Sequence, residues 1–298
     1  MPAFKVADVN ELEQIFRSVH DVWPHDPDPV IHTQLRLASE KHKAALWIIG
    51  KQEHQIVCSL GLFPLKMMLN GEIASAYSIG AVYTPVSHRR CGYASSLLNF
   101  SIELMEEQQR HIGVLYSDIS PAFYQKHGFC HLNSSAFVYE VSGRSSYSHR
   151  KEILVSEAIW SVSCKLIQRL YKQWAASHDG APYRDQNHWD WHIKRYPEAR
   201  YFLLRQGRID IGYIAATVAN DKLVILDFAS SNQIDVESVL AQVLSLSKGF
   251  STITGWWPMN QEFSPDISIV SRKDEMPMIR GGGDVTGKRI AFQQADHV

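Results

Sequence analysis

The chain has 298 residues, enough for two domains of ordinary size. Hydrophobic residues make up 45% and charged residues 20%, the balance of a globular protein with a real core. A net charge of -1 supplies no general attraction to nucleic acid or to an anionic membrane.

Four cysteines (Cys58, Cys91, Cys130, Cys164) form no CxxC pair, so free thiols in a reducing compartment are expected. The N-terminus lacks a basic-then-apolar signal, and no apolar run nears the ~20 residues that span a bilayer. A cytoplasmic protein is the resulting expectation, with no membrane or nucleic-acid partner.

In chain order, Phe4–Val6 predicts a short strand. Asp8 and Glu11 have the spacing of a capping box. Leu12, Ile15, Phe16, Val19 and Val22 then follow at helical spacing, and Pro24 should stop the helix at Trp23. The loop WPHDPDP reads either as a connector or as a pocket wall, and its Asp21, Asp26 and Asp28 hint at a cationic acceptor. A second helix is predicted from Val30 to Lys43, leading to the strand ALWIIG. The segments IVCSLGLFPLKMML and EIASAYSIGAVYT flank Asn70-Gly71, the favoured pair for a type I′ hairpin turn.

The most informative stretch runs from Ala76 to Phe129: strand, basic glycine turn, helix, strand, short helix. A strand entering a helix through a glycine turn presents unpaired N–H groups where the helix dipole adds positive charge, which makes an anion site. Gly92 permits close approach of the backbone, Ala94 is small, and Arg89 and Arg90 add charge. The turn matches neither GxxxxGK[ST] nor GxGxxG, so the common nucleotide loops do not fit. Ser120 can cap a short helix opened by Pro121 and closed by Gly128, which places Tyr124 beside the end of the preceding strand.

After Phe129, SAFVYEV is expected to close the first unit, with Ser142–Lys151 as linker and a boundary between residues 143 and 144. The second unit, 144–298, opens with a helix of about two dozen residues bearing Ile159, Val162, Leu166 and Trp174. The strands RYFLLRQ, IDIGYIAATVA and KLVILDFAS follow, then a helix from Ile234 to Leu246 and the strand STITGWW. ISIV and RIAFQQ are further strand candidates. Element order thus repeats in both halves without sequence identity. His188 and His192, four apart on a helix, could ligate a metal. No further ligand is evident beside them, so packing is the preferred reading and no metal is expected. Trp256-Trp257 reads as core or interface.

The two central pieces together resemble the GNAT superfamily of acetyltransferases. Its turn (Arg/Gln)-x-x-Gly-x-(Gly/Ala) is met by Arg89-Arg90-Cys91-Gly92-Tyr93-Ala94. Its helix (Ile/Phe)-Tyr-x-x-x-Gly-(Phe/Tyr) is met by Phe123 to Phe129. The resemblance implies an α+β GNAT fold, with a mixed, mostly antiparallel sheet flanked by helices, followed by a second GNAT-like domain without the phosphate turn. It implies acetyl-CoA as co-substrate, with Val82, Tyr83 and Thr84 pairing the pantetheine arm and the N–H groups from Arg89 through Ser95 holding the pyrophosphate. A splay around Ser117–Ser120 would admit the thioester.

Tyr124 corresponds to the tyrosine that protonates the departing thiolate. Asp118 is the first candidate for the base, against a reading as a turn aspartate; the C-terminal carboxylate of Val298 is another. The acceptor would be a primary amine of a small molecule or peptide, and a homodimer is left open. The alternative is a non-catalytic acyl-CoA-binding or partner-binding module. The second unit reads SSNQID where a phosphate turn should stand, which confines the chemistry to the first.

Overall fold

The computed structural model describes residues 1–140, 153–257, 261–262, 267–283, 291 and 293–297. In chain order the elements of the first half are β1 (Ala3–Val6), α1 (Val9–Ser18), α2 (Pro29–Ala38), α3 (Glu40–Ala44), β2 (Leu46–Gln52), β3 (Gln55–Leu69), β4 (Glu72–Tyr83), α4 (Tyr93–Glu107), β5 (Ile112–Ser117), α5 (Ala122–Gln125), β6 (Cys130–His131) and β7 (Ser135–Glu140). The second half adds β8 (Ile153–Ala158), α6 (Trp160–Ala175), α7 (Gln186–Arg195), β9 (Arg200–Gln206), β10 (Ile209–Ala219), β11 (Lys222–Ser230), α8 (Val236–Leu246), β12 (Thr252–Trp256), β13 (Ser268–Ser271) and β14 (Met276–Arg280).

Two seven-stranded sheets result, in the orders β1-β2-β3-β4-β5-β14-β6 and β13-β7-β12-β11-β10-β9-β8. The pairings are antiparallel except β4 with β5 and β11 with β12, so each sheet carries its one parallel pair at the same place. The two halves exchange a strand. β7, expected to close the first unit, pairs instead with β12 and β13. β14, which no sequence signal marked, inserts between β5 and β6. Alternating apolar residues specify that a strand has one buried face, not which sheet supplies its neighbours. The expected linker Ser142–Lys151 and the boundary at 143 lie outside the described residues, as does half of the strand candidate RIAFQQ, whose Gln294 opens a short 3-10 turn and not a strand.

Local signals held where they are local. Asp8 and Glu11 form the capping box. Asn70 and Gly71 both take positive φ, 52° and 79°, as a type I′ turn requires. Helix ends moved. α1 stops at Ser18, not Trp23, and Val22 is exposed. The single helix expected over Val30–Lys43 is two, broken where Ser39 turns extended. β8 takes Ile153–Ala158 from the start of the long helix expected there, and Ile159 and Val162 face solvent. Ser120 lends α5 no side-chain cap; Phe123 N–H bonds its carbonyl instead.

Glu11 also ties α1 to the sheet. Its carboxylate is 2.8 Å from Lys51 and 3.0 Å from Lys5, and it accepts the Asp8 N–H at 2.9 Å. Burial opposes ionisation, but these partners prevail and lower its pKa from 4.5 to about 2. Because the folded value is the lower one, this stabilisation is complete above pH 4.5 and disappears as pH falls through 2. Glu11→Gln should therefore cost about 2–3 kcal/mol near pH 7 in urea unfolding. The difference from the parent should shrink towards zero between pH 4.5 and 2.

Candidate active site

Two features separate β4 from β5 at one end. The parallel ladder runs from Ala76↔Ile112 to Ile79↔Leu115 and stops there, although β4 continues to Tyr83 and β5 to Ser117. On its other side β4 bulges: Gly61 faces Gly80 and Ser59 faces Tyr83, with Ala81 held at φ 50°. The extra residue re-aims the end of the strand. Beyond Ile79 the edge of β4 towards β5 thus has no strand partner, and the splay opens at Leu115, slightly earlier than the expected Ser117. Tyr116 and Ser117 pair away from it, with β14.

The turn after β4 leads into α4. Gly92 sits at its N-cap with φ 79°, and a Cβ there would meet nothing within 4 Å. Glycine is thus required by the left-handed conformation and not by crowding within the protein. α4 has no side-chain cap and no acidic residue in its first turn, so its leading N–H groups lack the usual partners. Behind the turn, Leu97, Leu98, Ile102 and Met105 bury one face and make α4 a firm support.

Of the motif residues, Arg90 is exposed with φ 64°, and Arg89 donates from Nε to the Thr84 carbonyl at 3.1 Å. The Cys91 thiol is exposed and lies 3.6 Å from the Arg89 carbonyl, and Tyr93 donates its hydroxyl to Gln52 at 2.8 Å. Val82, Tyr83 and Thr84 are half-buried along the free edge, and the Thr84 hydroxyl is buried without a partner. The equivalent turn in the second half is closed by the protein itself. The Asp235 carboxylate caps α8 through Ser238 N–H, Glu237 adds a second acid there, and Gln261 bridges Ile234 N–H and the Asn232 carbonyl.

One contact between the two motifs escaped the sequence reading. His127 lies with Nε2 2.8 Å from Ser95 Oγ and Nδ1 2.6 Å from Asn99 Oδ1. An amide oxygen only accepts, so Nδ1 carries the proton and Nε2 accepts from Ser95. Burial, with Lys126 nearby, lowers the His127 pKa and favours this neutral form. The end of α5 is thereby latched to the first turn of α4.

Tyr124 is 7% exposed, packed edge-on against Phe123 and near Phe129. Its hydroxyl has no hydrogen-bond partner among the described residues. Burial, then the charge of Asp118, pushes its pKa up to about 12. Asp118 itself is exposed at the end of β5, and one of its oxygens accepts the Glu275 N–H at 3.0 Å.

The opposite face of β5 meets the second half. Tyr116 stacks near Trp256 (5.5 Å) and edge-on to His297 (4.7 Å), so Trp256 is an inter-sheet contact while Trp257 lies in the second core. Lys41 of α3 stands 3.2 Å above the Trp191 ring of α7. The backbone of Gly180–Tyr183 bonds to Met68 and Lys66 of β3.

Contrary to expectation, His188 and His192 do have a third potential ligand beside them. Asp296 brings the three side chains within 4.8 Å of one another. That carboxylate is already engaged by Arg184, from Nε at 3.0 Å and Nη2 at 2.8 Å, so a cation there would face a guanidinium. Val298 lies outside the described residues.

Residues 4–132 match the family model for the acetyltransferase (GNAT) domain. This part of the chain is a GNAT domain. No curated protein matches the chain. Among solved structures, the fold resembles a probable N-acyltransferase of Enterococcus faecalis V583 at 14% identity and TM-score 0.75, over 94% of this chain and 72% of that one. A GCN5-related N-acetyltransferase of Anabaena variabilis shows 18% identity and TM-score 0.72, with the same coverage. Eis1 of Mycobacterium abscessus shows 10% identity and TM-score 0.62, over 95% of this chain and 74% of that one. These likenesses extend the GNAT-like architecture over both halves. Among the described residues no helix is long and apolar enough to cross a membrane.

Proposed function

We propose that the chain is an acetyl-CoA-dependent N-acetyltransferase that passes the acetyl group directly to a primary amine of a small molecule or peptide. The observation that carries this reading is Tyr124, whose ring is buried and whose hydroxyl makes no hydrogen bond among the described residues, beside a strand splay whose other rim leads into an uncapped glycine turn.

The residues present fit the co-substrate. The free edge of β4 at Val82, Tyr83 and Thr84 offers backbone groups to the amides of a pantetheine arm, as an added strand would. The orphan Thr84 hydroxyl lies on the same rim. The N–H groups from Arg89 through Ser95, with Arg90 exposed beside them, suit a pyrophosphate. The closed turn before α8 offers no such place, which supports one site per chain.

In the reaction, the amine attacks the acetyl carbonyl and Tyr124 donates its proton to the departing thiolate. A phenol at pKa about 12 stays protonated at neutral pH. Burial in the splay would raise the proton affinity of a departing thiolate in the same sense, which favours its protonation. Asp118 is the proposed base. It is exposed, stands within electrostatic reach of Tyr124, and has one oxygen free of hydrogen bonds among the described residues.

Purified protein with acetyl-CoA and a panel of primary amines should release free CoA in proportion to acetylated amine. Stabilisation by acetyl-CoA with no transfer to any amine would instead mark a binding module.

A further inference from the structure

Around the contact of α3 with α7 lie cations that form no direct ion pair with a carboxylate among the described residues. Arg36 of α2 is 5% exposed; one nitrogen donates to the Trp23 carbonyl at 3.1 Å, a second lies 3.3 Å from His42, and Nε is buried without a partner. His42 Nδ1 is also buried and unpartnered. Lys41, the next residue, is half-buried and lies over the face of Trp191, with no hydrogen bond or ion pair among the described residues. Arg272, 9% exposed, lies 3.5 Å over the Trp256 ring and donates to the Glu275 carbonyl. None of these three cations forms an ion pair with a carboxylate among the described residues.

Asp296 is engaged by Arg184 and His188, and the Glu275 carboxylate lies 3.3 Å from His297. The cations share one region: Arg36, Lys41 and Arg195 all act on His42, and Arg195, Arg272 and Lys41 all act on His297. Burial and these charges lower the pKa of both imidazoles to about 3, so both are neutral at pH 7. His297 in turn packs on Tyr116, the first residue of β5 beyond the ladder.

Arg36 and Arg272 are buried and Lys41 is half-buried; cations removed from water without a paired carboxylate suit a counter-charge that arrives from outside. We propose that the acceptor amine carries an anionic group, a carboxylate or phosphate, which Lys41 and Arg272 bind while Arg36 adds positive potential from behind His42. This rests on the reading of the β4–β5 splay as the site of acetyl transfer. It also reverses the hint of a cationic acceptor drawn from Asp21, Asp26 and Asp28. Asp28 caps α2 and Asp26 accepts the Asp28 N–H, so both serve their own loop.

The test pairs matched amines on the full chain with acetyl-CoA: phosphoethanolamine against ethanolamine, and β-alanine against β-alaninamide, with spermidine as the cationic control. The anionic member of each pair should have a kcat/KM at least about tenfold higher. Lys41→Gln should raise KM for the anionic acceptor about tenfold, leave acetyl-CoA binding unchanged, and be rescued by Lys41→Arg. Preference for the uncharged member or for spermidine would overturn the proposal.

A second arm needs no turnover. Citrate and inorganic phosphate should raise the melting temperature of the parent and do so less in Lys41→Gln; an equal response, or none in either, overturns the anion site. If acetyl-CoA neither binds nor releases CoA with any amine, the acetyltransferase reading fails, and the citrate arm still decides the anion site on its own.

Discussion

Tyr124→Phe should lower kcat about 100- to 1,000-fold while acetyl-CoA binds as before. The hydroxyl makes no hydrogen bond among the described residues, so its removal orphans nothing and leaves the packing against Phe123 and Phe129 in place. Melting temperature should therefore hold, within about 0.5 kcal/mol of stability. What the variant loses is a proton donor at the departing sulfur. Calorimetry with acetyl-CoA, set beside initial rates of CoA release, separates the two quantities. Turnover equal to the parent would take Tyr124 out of the chemistry; lost acetyl-CoA binding would make it a binding residue instead.

The largest stability effect should come from Arg184. Its guanidinium is fully buried between two carboxylates: Nη1 is 2.5 Å from Asp227 and Nη2 is 2.8 Å from Asp296. It lies 3.8 Å over the Tyr171 ring, and the Tyr213 hydroxyl donates to Asp227. Burial disfavours ionised Asp296, yet Arg184 and the two histidines hold its pKa well below the ordinary value. Arg184→Met would leave both acids buried without their cation. Such half-broken networks cost about 3–5 kcal/mol. Urea unfolding should show this loss, and Asp296→Asn in the same background should recover part of it. A loss under about 1 kcal/mol would mean the acids find water when the arginine goes. The network also has a positional role, because Asp296 ties the segment around residues 294–297 to α7 and β11 and so sets His297 against Tyr116.

These two predictions differ in how far the sequence foresaw them. Tyr124, Gly92 and the turn around Arg89 were legible because each motif is local: a few adjacent residues determine the φ/ψ values, the cap and the exposed N–H groups. The same holds for Asp8 with Glu11 and for Asn70-Gly71. The degenerate turn at Ser230–Asp235 was legible too, and there the Asp235 carboxylate caps the start of α8.

Partnership between distant residues was not legible. Alternation in Ser135–Glu140 requires a buried face, but both sheets offered one, and only closure of the two cores assigns β7 to the second sheet and β14 to the first. Arg184 meets acids 43 and 112 residues away. Asp296 likewise stands by His188 across 108 residues. Arg36 and Arg272 read as ordinary surface charges until packing removes their water. The chain by itself thus determined the glycine turn at the start of α4, the place of Tyr124 on α5 and the lack of such a turn before α8. Tertiary structure decided the exchanged strands, the buried ion network and the burial of Arg36 and Arg272, because burial and charge pairing are set by what the fold brings together and not by neighbours in sequence.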